Sequence, residues 1–238
     1  MKIESSLNDG VLTLTIARPE AANALNEALQ LELQDALARG QADPFVKAAV
    51  LAADGPKAFS AGADLREYAE LPWAQAALRR REVLMETLYA LLRFAKPLVA
   101  SVQAPAVGAG AMLALACDEI VMNGATWLSF PESQHDMPSP VGIVMLEHRG
   151  AQGQVQRLIQ RAQRLSAGDA LAAGIIDAVC PAQDLATQCV QTALELTEAG
   201  AHAYAQNKRW RNDQCVAALA RAALAATAAD EHRPKGAH

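Results

Sequence analysis

No apolar run in the 238-residue sequence approaches the roughly 20 residues that a membrane-spanning helix needs, so no such helix, and no membrane partner, is expected. The opening residues, Met1-Lys2-Ile3-Glu4, lack a secretory signal pattern, and a cytoplasmic location is expected. Cysteine is sparse: Cys117, Cys180, Cys189 and Cys215 lie far apart, with no C-x-x-C pair and no histidine at metal-ligand spacing. That excludes a disulfide framework or zinc site and leaves four reduced thiols. Basic residues are in deficit, 21 against 26 acidic ones, and the net charge of −5 disfavours a nucleic-acid-binding surface over the protein as a whole. Phosphate-binding signatures are also missing. No G-x-x-x-x-G-K-[ST] occurs, and Gly108-x-Gly110 has no third glycine at the dinucleotide spacing, so P-loop and Rossmann assignments fail.

What is present suffices for a large core, with 52% hydrophobic and 20% charged residues. Apolar residues and threonines alternate over Val11 to Ile16, the period-two pattern of a half-buried strand. Asn26 is placed to cap a helix whose Leu29, Leu33 and Leu37 share a face, and Gly40 is expected to end it. Ala48 to Ala53 reads as a short apolar strand before the turn Asp54-Gly55-Pro56. Trp73 to Phe94 reads as a long amphipathic helix with Arg79-Arg80-Arg81 exposed, stopped by Lys96-Pro97. Leu98 to Val102 is a buried strand, and Gly108-Ala109-Gly110 opens a helix reaching Cys117. Glu119 to Met122 and Trp127 to Phe130 are expected to form a hairpin around Asn123-Gly124. Helices are predicted over 152–164, 167–173, 185–199 and 213–230, with 175–179 extended. Strand and helix alternate, so the fold class is α/β. A composition shift near Pro181 divides a core, residues 1–182, from a helical C-terminal segment, residues 183–238.

Two loops combine a strand, a tight small-residue turn and a helix start. One is Lys57-Ala58-Phe59-Ser60-Ala61-Gly62-Ala63-Asp64-Leu65; the other is Pro105-Ala106-Val107-Gly108-Ala109-Gly110. Small residues admit a ligand close to the backbone, and N–H groups at a helix start carry partial positive charge. Either loop alone could simply join a strand to a helix. Meeting, the two would make an anion or oxyanion site.

The order and spacing of these pieces resemble the crotonase (enoyl-CoA hydratase/isomerase) family. Arg18-Pro19-Glu20-Ala21-Ala22-Asn23-Ala24-Leu25 resembles its R-P-x-x-x-N-A-L opening, and Ala58 to Leu65 its A-F-S/C-A-G-A-D-L loop. Lys96-Pro97 through Cys117-Asp118 resembles its K-P segment ending in C-D. Phe130-Pro131-Glu132 resembles its P-E strand end, and Leu165-Ser166-Ala167 to Val179 its L-(ST)-A segment. The likeness covers about residues 10 to 185.

The resemblance implies a spiral of ββα units with a helical C-terminal part, assembled as a homotrimer or a dimer of trimers. It also implies an acyl-CoA substrate, with CoA carried as part of the substrate and no separate cofactor. The thioester carbonyl would lie between the N–H groups of Ala63 and Ala109, each worth about 3 kcal/mol at an enolate-like transition state. The family usually has glycine at the second of these positions; Ala109 keeps the N–H and adds a methyl. Family hydratases use two glutamates. The first falls here on Met112, which cannot shuttle a proton, and the second on Glu132. A single carboxylate suits migration of a double bond from position 3 to position 2, with Trp127, Phe130 and Met112 as apolar neighbours able to raise the Glu132 pKa.

Taken alone, a glutamate after a proline is usually a surface carboxylate; its place in the pattern assigns Glu132 the acid/base role. His135 and Asp136, in a segment that departs from the family pattern, are further candidates for acid/base work. CoA contacts are implied for the carbonyl of Ala61, for Ala22, Asp64, Leu65, Gly108 and Met112, and for the basic Arg66, with Arg18 nearby. Glu20 stands where the family often has lysine. The tail Asp230-Glu231-His232-Arg233-Pro234-Lys235 is an echo of the family's D-x-x-E-G ending without its aromatic. Three functions stay open: isomerisation first, then enoyl-CoA hydration, then an acyl-CoA-binding homologue without turnover. A nucleic-acid-binding role for Arg79-Arg80-Arg81 is a further option that the acidic net charge disfavours.

Overall fold

The protein was analysed as a computed structural model that describes residues 2–231. Its strands are Ile3–Asn8 (β1), Val11–Ile16 (β2), Ala48–Ala53 (β3), Leu98–Val102 (β4), Ala106–Val107 (β5), Glu119–Asn123 (β6), Trp127–Ser129 (β7), Leu165–Ser166 (β8) and Ala178–Cys180 (β9). The helices are Glu27–Ala42 (α1), Trp73–Arg93 (α2), Ala109–Leu115 (α3), Pro140–His148 (α4), Ala167–Ala172 (α5), Leu185–Leu196 (α6) and Ala201–Glu231 (α7).

The large sheet has the order β1-β2-β3-β4-β6-β9, parallel throughout except for the antiparallel β1–β2 hairpin. A small sheet runs β5-β7-β8. Each turn of the chain lays one strand in the large sheet, then a short extended stretch beside the small one, then a helix. After β2, Leu25 bridges to Ala63 ahead of α1; after β3, Ser60 bridges to Ala106 ahead of α2. Next come β4, β5 and α3, then β6, β7 and α4. This repetition is the ββα spiral that the resemblance implies, and its consequence for function is geometric. The points where successive turns enter the second layer are stacked, so residues remote in sequence become neighbours there.

Burial follows from this stacking. Ala48 to Leu51 and Leu98 to Val102 are buried along their lengths, as parallel strands covered on both faces must be. Leu29, Leu33 and Leu37 of α1 and Leu88, Leu91 and Leu92 of α2 enter the main core. On the other face, Leu185, Cys189 and Ala193 of α6 cover Val11, Val50, Val99 and Val121. No helix among the described residues is long and apolar enough to cross a membrane.

Several local expectations change. Asn123-Gly124 is no hairpin turn, because β6 and β7 belong to different sheets. Gly124 lacks the positive φ that such a turn requires; its N–H goes to the Cys180 carbonyl at 3.0 Å, and the Asn123 side chain donates to the Gln103 carbonyl. The tight hairpin lies instead at Asp9-Gly10, with φ of 50° and 83°, joining β2 to a strand absent from the sequence reading. Gly40 does not end α1, which continues to Ala42; a Cβ there would meet Leu12 at 2.5 Å, so this glycine is a packing contact. Residues 152–164 hold a 3-10 turn and a π turn rather than one helix. Nor are Arg79, Arg80 and Arg81 exposed together, since three consecutive helical residues cannot share a face; Arg80 and Arg81 turn inward. The tail motif beyond Glu231 lies outside the described residues.

Polar anchors tie α7 to the core. Lys208, almost fully buried, donates to Asp118 Oδ2 at 2.6 Å and to the Lys96 carbonyl at 3.1 Å, while Asp118 Oδ2 also accepts from the Leu98 N–H. Burial pulls the Lys208 pKa down and the Asp118 charge opposes that shift. Asp118→Ala would strand a buried ammonium, and a loss of about 3–5 kcal/mol is expected in urea unfolding. Asp35→Ala, which removes an exposed i,i+4 pair with Arg39, should leave the midpoint unchanged.

Candidate active site

The R-P-x-x-x-N-A-L segment and the first small-residue loop are fastened together by Asn23. Its Oδ1 accepts from the Arg18 N–H at 2.9 Å, its Nδ2 donates to the carbonyls of Asp54 and Ala58, and its own carbonyl accepts from Ser60 Oγ at 2.8 Å. Ser60 Oγ also accepts from the Gly62 N–H. Arg18 donates to Asp64 at 2.7 Å and to the Ala24 carbonyl at 2.8 Å. Burial alone would raise the Asp64 carboxyl, but the Arg18 and Arg66 hydrogen bonds and the two guanidinium charges together hold it below its ordinary value. Arg18 and Asp64 are therefore committed to one another. Arg66 is exposed and stands outside the cleft, and Ala22, in the left-handed region, accepts from the Ala61 N–H at 3.0 Å.

Ala63 is flanked by two hydrogen bonds of its neighbours, Leu25 N–H to the Gly62 carbonyl and Asp64 N–H to the Leu25 carbonyl. In a parallel bridge this leaves the intervening N–H on the opposite side. The second loop presses against the first. A Cβ on Gly62 would stand 2.9 Å from the Val107 carbonyl and 3.6 Å from the Ala109 nitrogen, and one on Gly110 would strike Ser60 at 2.6 Å. The amides of Ala63 and Ala109 thus come from two backbones in contact, and neither has an internal acceptor among the described residues. Ala109 opens α3, where N–H groups are unpaired by construction.

Both alanines line a cleft of about 250 Å³. Ala61, Leu65, Gly108 and Met112 line it too, as does Glu132 on the 3-10 turn that follows β7. Gly108, at φ 50° and ψ −120°, takes a conformation costly to other residues; a Cβ there would fall 2.8 Å from Glu132 Oε1. The carboxylate therefore lies directly against the second loop. Its Oε2 is buried without a partner among the described residues, and burial pushes the Glu132 pKa up to about 7. Met112 is buried, with its methyl 3.2 Å from the Cβ position of Gly142. Trp127 is not among the apolar neighbours of Glu132: it stands outside the cleft under Arg164, and Phe130 is fully buried behind the lining. His135 reaches the rim, exposed, whereas Asp136 caps its turn away from the lining.

Other contributors escape the sequence reading. Helix α4 lies outside the helices that the sequence predicts, and Ser139 precedes it, with a buried hydroxyl that has no partner among the described residues and lines the same cleft. The signal was Ser139-Pro140, a capping residue followed by proline at the first helical position. Arg80 and Arg81 from α2 and Asp230 from α7 also line the cleft.

Comparison with known proteins identifies the family. The enoyl-CoA hydratase/isomerase family model matches residues 6–233. The mitochondrial enoyl-CoA hydratase of Pongo abelii is 32% identical over 187 residues, 78% of this chain but 63% of that protein, under two thirds of its length. The carboxymethylproline synthase of Pectobacterium carotovorum is 27% identical over 202 residues, covering 85% of this chain and 81% of that one. The solved enoyl-CoA hydratase/isomerase of Pseudoalteromonas atlantica T6c superposes with a TM-score of 0.84 at 27% identity, covering 98% and 92% of the two chains. With two loop amides and a raised carboxylate arranged around one cleft, and with this match along nearly its whole length, the chain belongs to the enoyl-CoA hydratase/isomerase family of the crotonase superfamily.

Proposed function

We propose that the protein acts on acyl-CoA thioesters and moves a double bond from position 3 to position 2, with Glu132 as its single acid/base. The carrying observation is the Glu132 carboxylate, its Oε2 buried without a hydrogen-bond partner among the described residues and lying against the second loop, beside a wall made apolar by Met112. In this reading the thioester oxygen accepts from the Ala63 and Ala109 amides. Glu132 takes the proton from C2, the charge passes to that oxygen as an enolate, and the same carboxyl returns the proton at C4 as the double bond moves. One group with a pKa near 7 serves both halves of the cycle. A protein that only bound CoA would have no use for a carboxylate held at such desolvation cost, and this supports turnover. Ala61 and Leu65 at the cleft would face the CoA portion, and a homotrimer or dimer of trimers is the assembly proposed.

Hydration is the second reading, and Ser139 favours it. Its orphaned hydroxyl shares the cleft with Glu132 and could hold a water that a second glutamate would otherwise position. Incubation with 3-enoyl and 2-enoyl thioesters, following migration and water addition separately, tests the order; rapid hydration without migration would reverse it. Ser139→Ala should leave migration intact and remove any water addition.

Glu132→Gln should lower kcat by 10²–10⁴-fold, about what a general acid/base contributes, while CoA-thioester binding by calorimetry is retained. The wild-type enzyme starts its cycle with the carboxylate ionised. Its kcat should therefore rise with pH through a limb near 7 and fall tenfold per unit below it. A profile flat from pH 5 to 9 would remove Glu132 from the role.

A further inference from the structure

We propose that Arg80 recognises a carboxylate at the far end of the acyl chain, so that the favoured substrates are mono-CoA thioesters of dicarboxylic acids. This rests on the acyl-CoA reading above and specifies its substrate class.

Three consecutive arginines begin the inner half of α2, and their surroundings differ. Arg79 is exposed and paired with Glu27 at 2.7 Å and with Glu82 at 3.6 Å. Arg81 is paired with Asp230 and donates to Thr227 Oγ1. Arg80, between them, lines the cleft and has no carboxylate within 4.0 Å among the described residues. Among the described residues it hydrogen-bonds to a neutral acceptor, the Glu67 carbonyl, at 2.8 Å. Its guanidinium lies 5.8 Å from the ring centre of Trp73, which also lines the cleft.

The charge balance of the wall follows. Arg81 and Asp230 neutralise each other, leaving Arg80 as a net positive charge in a lining otherwise supplied near it by Leu84, Ala77 and Trp73. The carboxylates of Glu67, Asp230 and Asp64 act on it only at longer range, and burial depresses its pKa. A guanidinium in apolar surroundings without an anion is costly, and a planar fork with free donors matches a carboxylate. A methyl-ended acyl chain entering here would bury that charge further with nothing to offset it. An acyl chain ending in a carboxylate would supply the absent partner.

Calorimetry on the full chain separates this from chemistry, because saturated thioesters bind without turning over. The probes are free CoA, hexanoyl-CoA and the mono-CoA thioester of hexanedioic acid, with four- and eight-carbon diacid thioesters to find the fitting length. At least one diacid thioester should bind about tenfold or more tightly than its methyl-ended counterpart. Arg80→Gln, which keeps an amide donor for the Glu67 carbonyl but removes the charge, should erase that difference and leave free CoA affinity unchanged. Arg80→Lys should retain part of it. Equal affinity for acid-ended and methyl-ended chains at every length would overturn the proposal while leaving the acyl-CoA reading intact. So would equal weakening of all three probe classes by Arg80→Gln, which would assign Arg80 to the CoA phosphates. Failure of every CoA ligand to bind would overturn both.

Discussion

Close contact between two backbones governs this site. Gly62 sits so near the Val107 carbonyl, and Gly110 so near Ser60, that no side chain fits at either position. The two loops can therefore nest, and their amides come from successive turns of the spiral, Ala63 beside the bridge to Leu25 and Ala109 at the start of α3. A loop displaced by the width of one methyl group would separate the Ala63 and Ala109 donors. Electrostatic stabilisation of an oxyanion depends on donors fixed before the charge develops, so the rigidity of the packing matters as much as the presence of the N–H groups. The parallel sheet supplies that rigidity: the first loop follows a strand buried over Ala48 to Leu51 and the second a strand buried throughout, both held in parallel register with their neighbours.

Around this contact the polar residues divide by whether their bonding is complete. Asn23 satisfies both ends of its amide, Ser60 both donates and accepts, and Arg18 and Asp64 neutralise each other. These residues carry much of the sequence motif, yet what they do is hold loops in place. Glu132 Oε2 and Ser139 Oγ are the opposite case, buried with no bonding partner among the described residues. An unpaired buried polar group costs on the order of 1–3 kcal/mol, a cost that persists where the group has a transient partner. Both line one cleft, next to the free amides, which places the deficit where a substrate would relieve it.

Much of the spiral was legible because each turn carries its own punctuation. The Val11–Ile16 alternation, the Asn26 cap and the Leu88 and Leu92 spacing are local signals, and the structure keeps them. Tertiary context defeated the rest. Asn123-Gly124 has the composition of a hairpin turn, but the partner that its N–H finds is Cys180, more than fifty residues on. Asp9-Gly10 was the real turn, overlooked because Ile3–Asn8 is exposed along most of its length and shows no clean alternation. Gly40 looks like a helix stop, yet its reason is Leu12 on another element. At the site, the residues that family spacing picks out, Glu132, Ala63 and Ala109, line one cleft. Ser139 and Arg80 were hidden, since their significance is an absence of partners, which only the surroundings reveal.

The division between backbone and side chain also bears on how one cleft supports different reactions. In the proposed reading, activation through two main-chain amides is indifferent to side-chain identity, so alanine at 109 costs no donor. Reaction choice must then reside in the few side chains that face the bound acyl group. With two carboxylates, mutual repulsion would raise one pKa; with Met112 in place of the first, desolvation rather than a neighbouring charge is the main cause of the raised Glu132 value. A lone carboxyl near neutrality can take a proton and give it back within one substrate. Adding water asks for a further group to hold that water in line, and in this cleft the residue placed to do so is Ser139, a hydroxyl that hydrogen-bonds well but cannot share the proton load. On the proposed reading, the composition of that wall, more than the fold around it, is what inclines the chemistry toward moving a proton rather than adding water.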